Sequence, residues 1–143
     1  MENLTELYTE IILDHGRNPR NEGEIFQCRF QAEGFNPLCG DRITIFVRQK
    51  LESLDEVGFS SDSCLISRAS ASLMTQLLAG NSMEEAEDYC RVFTEIMRGE
   101  RDDNLEGHGV ADLLGIRKFP TRIKCVTLPW LTFLAALKDS IPI

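Results

Sequence analysis

The stretch Phe26-Gln27-Cys28-Arg29-Phe30-Gln31-Ala32-Glu33-Gly34-Phe35-Asn36-Pro37-Leu38-Cys39-Gly40-Asp41-Arg42-Ile43-Thr44-Ile45-Phe46-Val47-Arg48 holds two alternating runs around one turn. Phe26, Cys28, Phe30 and Ala32 alternate with Gln27, Arg29, Gln31 and Glu33. Ile43, Ile45 and Val47 alternate with Arg42, Thr44, Phe46 and Arg48. Successive side chains of a strand point to opposite faces, so each run reads as a half-buried strand. Gly34-Phe35-Asn36-Pro37 reads as the turn between them. A reversal at Ser53-Leu54-Asp55 and a weaker strand at Glu56-Val57-Gly58-Phe59 complete a three-stranded antiparallel meander.

On either side of the meander the period changes to that of a helix. Upstream, Asn3-Leu4-Thr5-Glu6 reads as a cap, and Leu4, Leu7, Tyr8, Ile11 and Ile12 form the apolar stripe of one helix ended by Gly16 and Pro19. Downstream, a helix opens at Ser63-Cys64 with Ile66, Ala69, Leu73 and Leu77 on one face, and Gly80 closes it. Ser82-Met83-Glu84-Glu85 is a capping box for a helix through Met97. A polar loop at 100–107, a short helix around Val110, Leu113 and Leu114, and a linker at Phe119-Pro120 lead to the last helix. That helix carries Trp130, Phe133, Leu134 and Leu137 on one face. Pro129 belongs in a first turn, which places the start of this helix at 125–128. Strands first and helices after predict an α+β sandwich, a three-stranded antiparallel sheet with helices packed on one face.

A chain of 143 residues is expected to form a single domain over 1–143 with a core of its own. A net charge of -8 argues against nucleic acid and anionic membranes as partners. No apolar run approaches a membrane span, and the acidic start Met1-Glu2-Asn3-Leu4-Thr5-Glu6 lacks a secretory signal; both point to the cytoplasm. Five cysteines in a reducing compartment suggest thiols and metal ligands rather than disulfides, and an odd number cannot pair completely.

Four residues at breaks in the pattern stand out: Cys39 and Asp41 beside the first turn, Cys64 and Cys125 at the starts of helices. A helix N-terminus favours the thiolate, the form that binds metal and attacks sulfur. Three sulfurs and one carboxylate suit zinc, or iron in a cluster. A divalent ion held this way stays surrounded by excess negative charge, which Arg42, Arg68 or Lys124 could offset. The chemistry alone leaves a second reading open, in which these cysteines are small buried apolar residues and Asp41 caps a turn. Cys28 and Cys90 read as core residues, His15 and His108 as structural or solvated, and Trp130 as a core anchor.

At these residues the chain resembles the U-type iron–sulfur assembly proteins, the IscU/NifU/SufU family. The resemblance runs through Asp14-His15-Gly16-Arg17-Asn18-Pro19-Arg20, Asn36-Pro37-Leu38-Cys39-Gly40-Asp41, Cys64-Leu65-Ile66-Ser67-Arg68-Ala69-Ser70-Ala71-Ser72 and Arg122-Ile123-Lys124-Cys125. It implies that Cys39, Asp41, Cys64 and Cys125 are the metal ligands. IscU-type members carry a histidine immediately before the third cysteine and a Leu-Pro-Pro-Val-Lys motif. This chain has Lys124 there and lacks the motif. Its longer stretch between Cys64 and Cys125 is also similar to the SufU branch. Ser61-Asp62-Ser63 replaces the family's glycine-rich turn. Membership in that branch implies a zinc-dependent sulfurtransferase that accepts persulfide sulfur on Cys39 from a SufS-type cysteine desulfurase, acting with that enzyme rather than alone. It also implies downstream iron–sulfur assembly or acceptor proteins. The alternative is a scaffold that builds and hands on an iron–sulfur cluster, for example [2Fe-2S], on the same ligands.

Overall fold

The computed structural model describes residues 4–102 and 104–138. In chain order it contains α1 (Leu4–Leu7), α2 (Glu10–Arg17), β1 (Phe30–Asn36), β2 (Asp41–Lys50), β3 (Ser53–Asp62), α3 (Leu65–Leu78), α4 (Met83–Met97) and α5 (Val110–Gly115). Two short 3-10 turns (Ile116–Lys118, Pro120–Arg122) then lead into α6 (Ile123–Lys138). The strands form one antiparallel sheet in the order β1-β2-β3. Ile43, Ile45 and Val47 of β2 are fully buried on the face that meets α3 and α6, as the alternation predicts. The fold is the expected α+β sandwich.

The edges of several elements differ from expectation. The first strand begins at Phe30 rather than Phe26, because Gln27 takes a left-handed backbone (φ 56) that interrupts the extended run. Phe26 is therefore 80% exposed, and Cys28 is half-buried outside the sheet, near Gln31, instead of packed in the core. The same strand continues through Gly34 and Phe35 to Asn36, so the turn is 37–40. β3 is not the weak strand expected at 56–59: it spans ten residues, and Ser61 and Asp62 belong to it. Phe46, placed on the outer face by the alternation, is buried as well.

The first helix is divided in two. Thr9 turns its hydroxyl onto the Ile12 N–H (3.4 Å) and caps a second helix, as short polar side chains do when they compete with the helical backbone. The cap predicted at Asn3 lies outside the described residues. The last helix starts at Ile123, earlier than Pro129 suggested, because the 3-10 turn at Pro120–Arg122 (Arg122 N–H to Phe119 carbonyl, 2.8 Å) feeds straight into it. Pro129 sits in the second turn, where its missing N–H leaves the Cys125 carbonyl without its helical donor.

α3 lies at the centre. Beyond its apolar stripe it buries Ser67, Ser70, Ser72 and Thr75. Buried hydroxyls are stable when bonded, and those of Ser70, Ser72 and Thr75 tie neighbouring segments together. Ser70 donates to the Val126 carbonyl (2.6 Å) and accepts from Trp130 Nε1 (2.9 Å). Trp130 is fully buried and stacks on Phe93 with centroids 4.0 Å apart. Ser72 Oγ meets His15 Nδ1 (2.7 Å) and accepts from the Arg20 N–H (2.8 Å). Cys90 is buried in the core, and the capping box at Ser82 and Glu85 is complete.

His15 is 2% exposed, and burial, then the positive charge of Arg20, pushes its pKa below the usual histidine value. The folded protein holds it neutral. Below about pH 6.5 the unfolded chain takes up a proton that the folded chain refuses, so the His15 contribution is complete above that pH and is lost as pH falls toward the folded value. The stability advantage of wild type over His15→Gln, measured by urea unfolding, is therefore expected to shrink between pH 7.5 and 5.5.

Candidate metal centre

The turn that carries Cys39 is built by Asn36. Its side-chain oxygen accepts from the Leu38 N–H (3.1 Å), its carbonyl accepts from the Gly40 N–H (2.8 Å), and it pairs across the sheet with Asp41. Gly40 reverses the chain with φ +77, a conformation glycine adopts without steric cost. Cys39 is left exposed at the tip, while Asp41, where β2 begins, is 3% exposed.

Cys64 is the N-cap of α3, directly after β3 and Ser63. Its sulfur accepts from the Ser67 N–H (3.4 Å), the bond a serine or aspartate cap would make. Its own N–H donates to Asp41 Oδ1 (2.9 Å), and its sulfur lies 3.5 Å from Asp41 Oδ2. Cys125 is in the first turn of α6 and 2% exposed. The ligand atoms of Cys39, Asp41 and Cys125 all lie within 4.8 Å of one another. Three of the four residues singled out in the sequence thus form one cluster; Cys64 lies outside that mutual spacing and adjoins it through Asp41, 3.5 Å from its sulfur. Soft sulfurs gathered around one carboxylate fit zinc, or the iron of a cluster. The hydroxyls of Ser61, Ser63 and Ser67 and Arg68 Nε, close to Cys64 in sequence, are buried without a hydrogen-bond partner among the described residues.

Three contacts hold these segments in place. Arg68 Nη2 donates to the Gly16 carbonyl and locks the start of α3 onto the end of α2. Ser70 holds Val126, the residue after Cys125. β1 lies so close to α6 that a Cβ on Gly34 would come within 2.0 Å of Thr132 Oγ1.

The thiols do not share protons equally. A hydrogen bond from Cys125 is the largest influence on Cys64 and, against the opposing effect of burial, brings its pKa down to about 7. The Cys125 thiol is pushed up, first by that bond to the Cys64 sulfur and then by burial. Cys39 is also pushed up, by desolvation and by its hydrogen bond to the Asp41 carboxylate. The cation at the centre is Arg122, which the sequence reading did not single out. It bonds to Cys125, and that bond is the main cause of its raised pKa. Its position three residues before Cys125, one turn away, is the signal that could have identified it. The cations expected there are engaged or turned elsewhere: Arg42 sits over the Phe35 ring (4.7 Å) and near Glu33 (3.8 Å), Arg68 holds Gly16, and Lys124 is exposed.

The sequence model of the NifU-like N terminal domain matches residues 7–126. The chain belongs to that family. The zinc-dependent sulfurtransferase SufU of Bacillus subtilis (strain 168) is 40% identical over 129 residues, 90% of this chain and 87% of that one. The iron–sulfur cluster assembly scaffold protein IscU of Streptococcus pyogenes serotype M1 is 36% identical over 138 residues, 96% of this chain and 86% of that one. A crystal structure described as a candidate iron–sulfur cluster assembly scaffold protein for the SUF system, from Fervidobacterium islandicum AW-1, superposes with a TM-score of 0.86 at 27% identity, covering 94% of this chain and 99% of that one. The chain is a member of an iron–sulfur cluster assembly family with a cysteine and aspartate site suited to zinc or iron. Among the described residues no helix is long and apolar enough to cross a membrane.

Two substitutions test the scaffold around the centre. Asn36→Ala removes the acceptor that shapes the Cys39 turn. It is expected to cost about 1 kcal/mol of stability and to weaken metal retention in a chelator competition. Gly34→Ala forces β1 away from Thr132 and is expected to cost about 1–3 kcal/mol by chemical denaturation, with a similar loss of metal affinity.

Proposed function

We propose that this protein is a zinc-dependent sulfur relay. Cys39, Asp41, Cys64 and Cys125 hold the metal, and Cys39 accepts sulfur from the persulfide of a SufS-type cysteine desulfurase for delivery to iron–sulfur assembly or acceptor proteins. The observation that carries the reading is the asymmetry of the site: one exposed thiol on a turn, within 4.8 Å of a buried carboxylate and a buried thiol, with the half-buried Cys64 thiol 3.5 Å from that carboxylate. The 40% identity to a zinc-dependent sulfurtransferase supports it.

Bound zinc supplies positive charge that keeps the thiols deprotonated and the three segments together. The remaining work falls to the chain. Cys39 is carried on a turn stabilised by its own bonds to Asn36, so it can move outward without disturbing a helix. Its thiolate attacks the outer sulfur of the donor persulfide; a bond forms from Cys39 Sγ to that sulfur, the donor's S–S bond breaks, and the donor cysteine leaves as a thiolate. The product is a persulfide on Cys39, and no external oxidant or reductant is consumed. Asp41 keeps its hold on the Cys64 N–H through Oδ1 and offers Oδ2 to the centre, a weaker ligand than a thiolate. Arg122 balances the negative charge at Cys125.

A second reading, a scaffold that carries iron and sulfide as cargo on the same residues, is favoured by the 36% identity to an IscU scaffold over nearly the whole chain. Lys124 weighs against it, since an ammonium has no lone pair to give where scaffold-type members carry a histidine.

Zinc, iron and acid-labile sulfide per chain, measured on protein purified without oxygen, separate the two. The relay is expected to contain one zinc and no sulfide; iron with matching sulfide would establish the scaffold instead. Cys39→Ser is expected to stay folded and to lose persulfide formation with a cysteine desulfurase. Unfolding of that variant would instead indicate a purely structural metal site.

A further inference from the structure

Beside the centre lies an open groove of about 330 Å³ between the β1–β2 turn and α6, lined by Phe35, Pro37, Leu128 and Leu131, with Arg98 and Lys124 among its other walls. Its floor is apolar. Phe35 is 49% and Leu131 37% exposed, and Leu38, next to Cys39, is 81% exposed. Large apolar side chains left open beside a reactive centre mark an interaction surface more often than a solvated face. Pro37 is two residues from Cys39 and Lys124 is adjacent to Cys125, so whatever fills the groove is held at the edge of the donor cluster.

The charge of the groove identifies its occupant. The whole chain is acidic at -8, yet among the described residues the lining of this groove has two cations and no carboxylate. Neither cation is engaged in an ion pair among the described residues, whereas Arg20, Arg42, Arg48, Arg91, Arg101 and Lys118 are. A second copy of the chain would bring its own strong negative charge against this one, which opposes association. A local basic rim around an apolar floor instead complements a short segment with apolar side chains flanked by carboxylates.

We propose that this groove docks an extended acidic and apolar segment of the protein that exchanges sulfur with Cys39. Its apolar side chains lie on Phe35, Leu128 and Leu131, and its carboxylates meet Arg98 and Lys124. The identity of that partner rests on the relay reading. The docking itself does not, and it is measured without sulfur transfer.

The probe is the synthetic peptide acetyl-Ser-Glu-Leu-Asp-Phe-Glu-Ser-amide, titrated into the full ¹⁵N-labelled, zinc-loaded chain and compared with its counterpart in which lysine replaces every acidic residue. The acidic peptide is expected to shift the amides of Phe35, Lys124, Leu128 and Leu131, with binding that weakens as salt rises. Arg98→Glu and Lys124→Glu are each expected to weaken it about tenfold, and Leu131→Asp to abolish it, with retained amide spectra showing that the variants fold. Absence of shifts with the acidic peptide, equal binding of the lysine peptide, or indifference to both charge reversals overturns the proposal. Groove shifts produced by raising the protein concentration alone assign the surface to a second copy and also overturn it. So does tighter peptide binding after removal of residues 139–143, which assigns the groove to that segment of the chain. Peptide binding by a protein that takes no sulfur from a cysteine desulfurase upholds the docking site and overturns the relay reading.

Discussion

Asp41 places a buried carboxylate where β2 begins, and both of its oxygens are engaged. Oδ1 takes the backbone N–H of Cys64 and Oδ2 faces the sulfurs. A carboxylate removed from water is costly unless it is bonded or paired. The Cys64 N–H belongs to a helix start, where N–H groups lack intrahelical partners, and a hydrogen bond to a charged group of this kind contributes about 1.5–3 kcal/mol. The same bond joins the sheet to α3 and brings the first pair of candidate ligands to the third. Asp41 therefore fixes the start of α3 through one oxygen and leaves the other facing the thiols, where a candidate ligand has to stand.

The rest of the fold holds that junction closed. α3 is unusual for a central helix in burying hydroxyls as well as apolar side chains. Ser72 binds the end of α2 and the backbone of Arg20, and Ser70 binds α6 just past Cys125. Directional bonds of this kind fix the rotation of a helix about its axis, which apolar packing alone leaves looser. Rotation matters here because Cys64 caps α3 and Cys125 faces it from α6. The stack of Trp130 on Phe93, with Nε1 bonded to Ser70, adds aromatic packing at the same crossing.

Electrostatically the centre is a set of acids beside the Arg122 guanidinium. Cys125 keeps its proton and shares it with Cys64, so the thiolate is favoured on Cys64, the helix cap, with the Arg122 guanidinium close by. Cys39 stands apart in exposure. The part of the site that is enclosed and the part that faces solvent are different residues, a division suited to a centre that must keep its shape and still meet a partner.

Much of this was legible in the residues themselves. Period-two alternation in β2 located the sheet's buried face, because burial on one side imposes it. The capping box at Ser82 marked the start of α4, because a helix start must satisfy its own N–H groups. The candidate ligand residues stood out because each interrupts a regular pattern. What the sequence by itself determined was local: which residues are strand, helix and break, and which side chains have metal-binding chemistry. The tertiary structure decided the rest. The left-handed backbone at Gln27 moved Cys28 out of the core, Thr9 divided the first helix, and Arg122 became the partner of Cys125. Each of these depends on how segments far apart in the chain pack together or on one backbone angle, and neither leaves a periodic trace in the sequence.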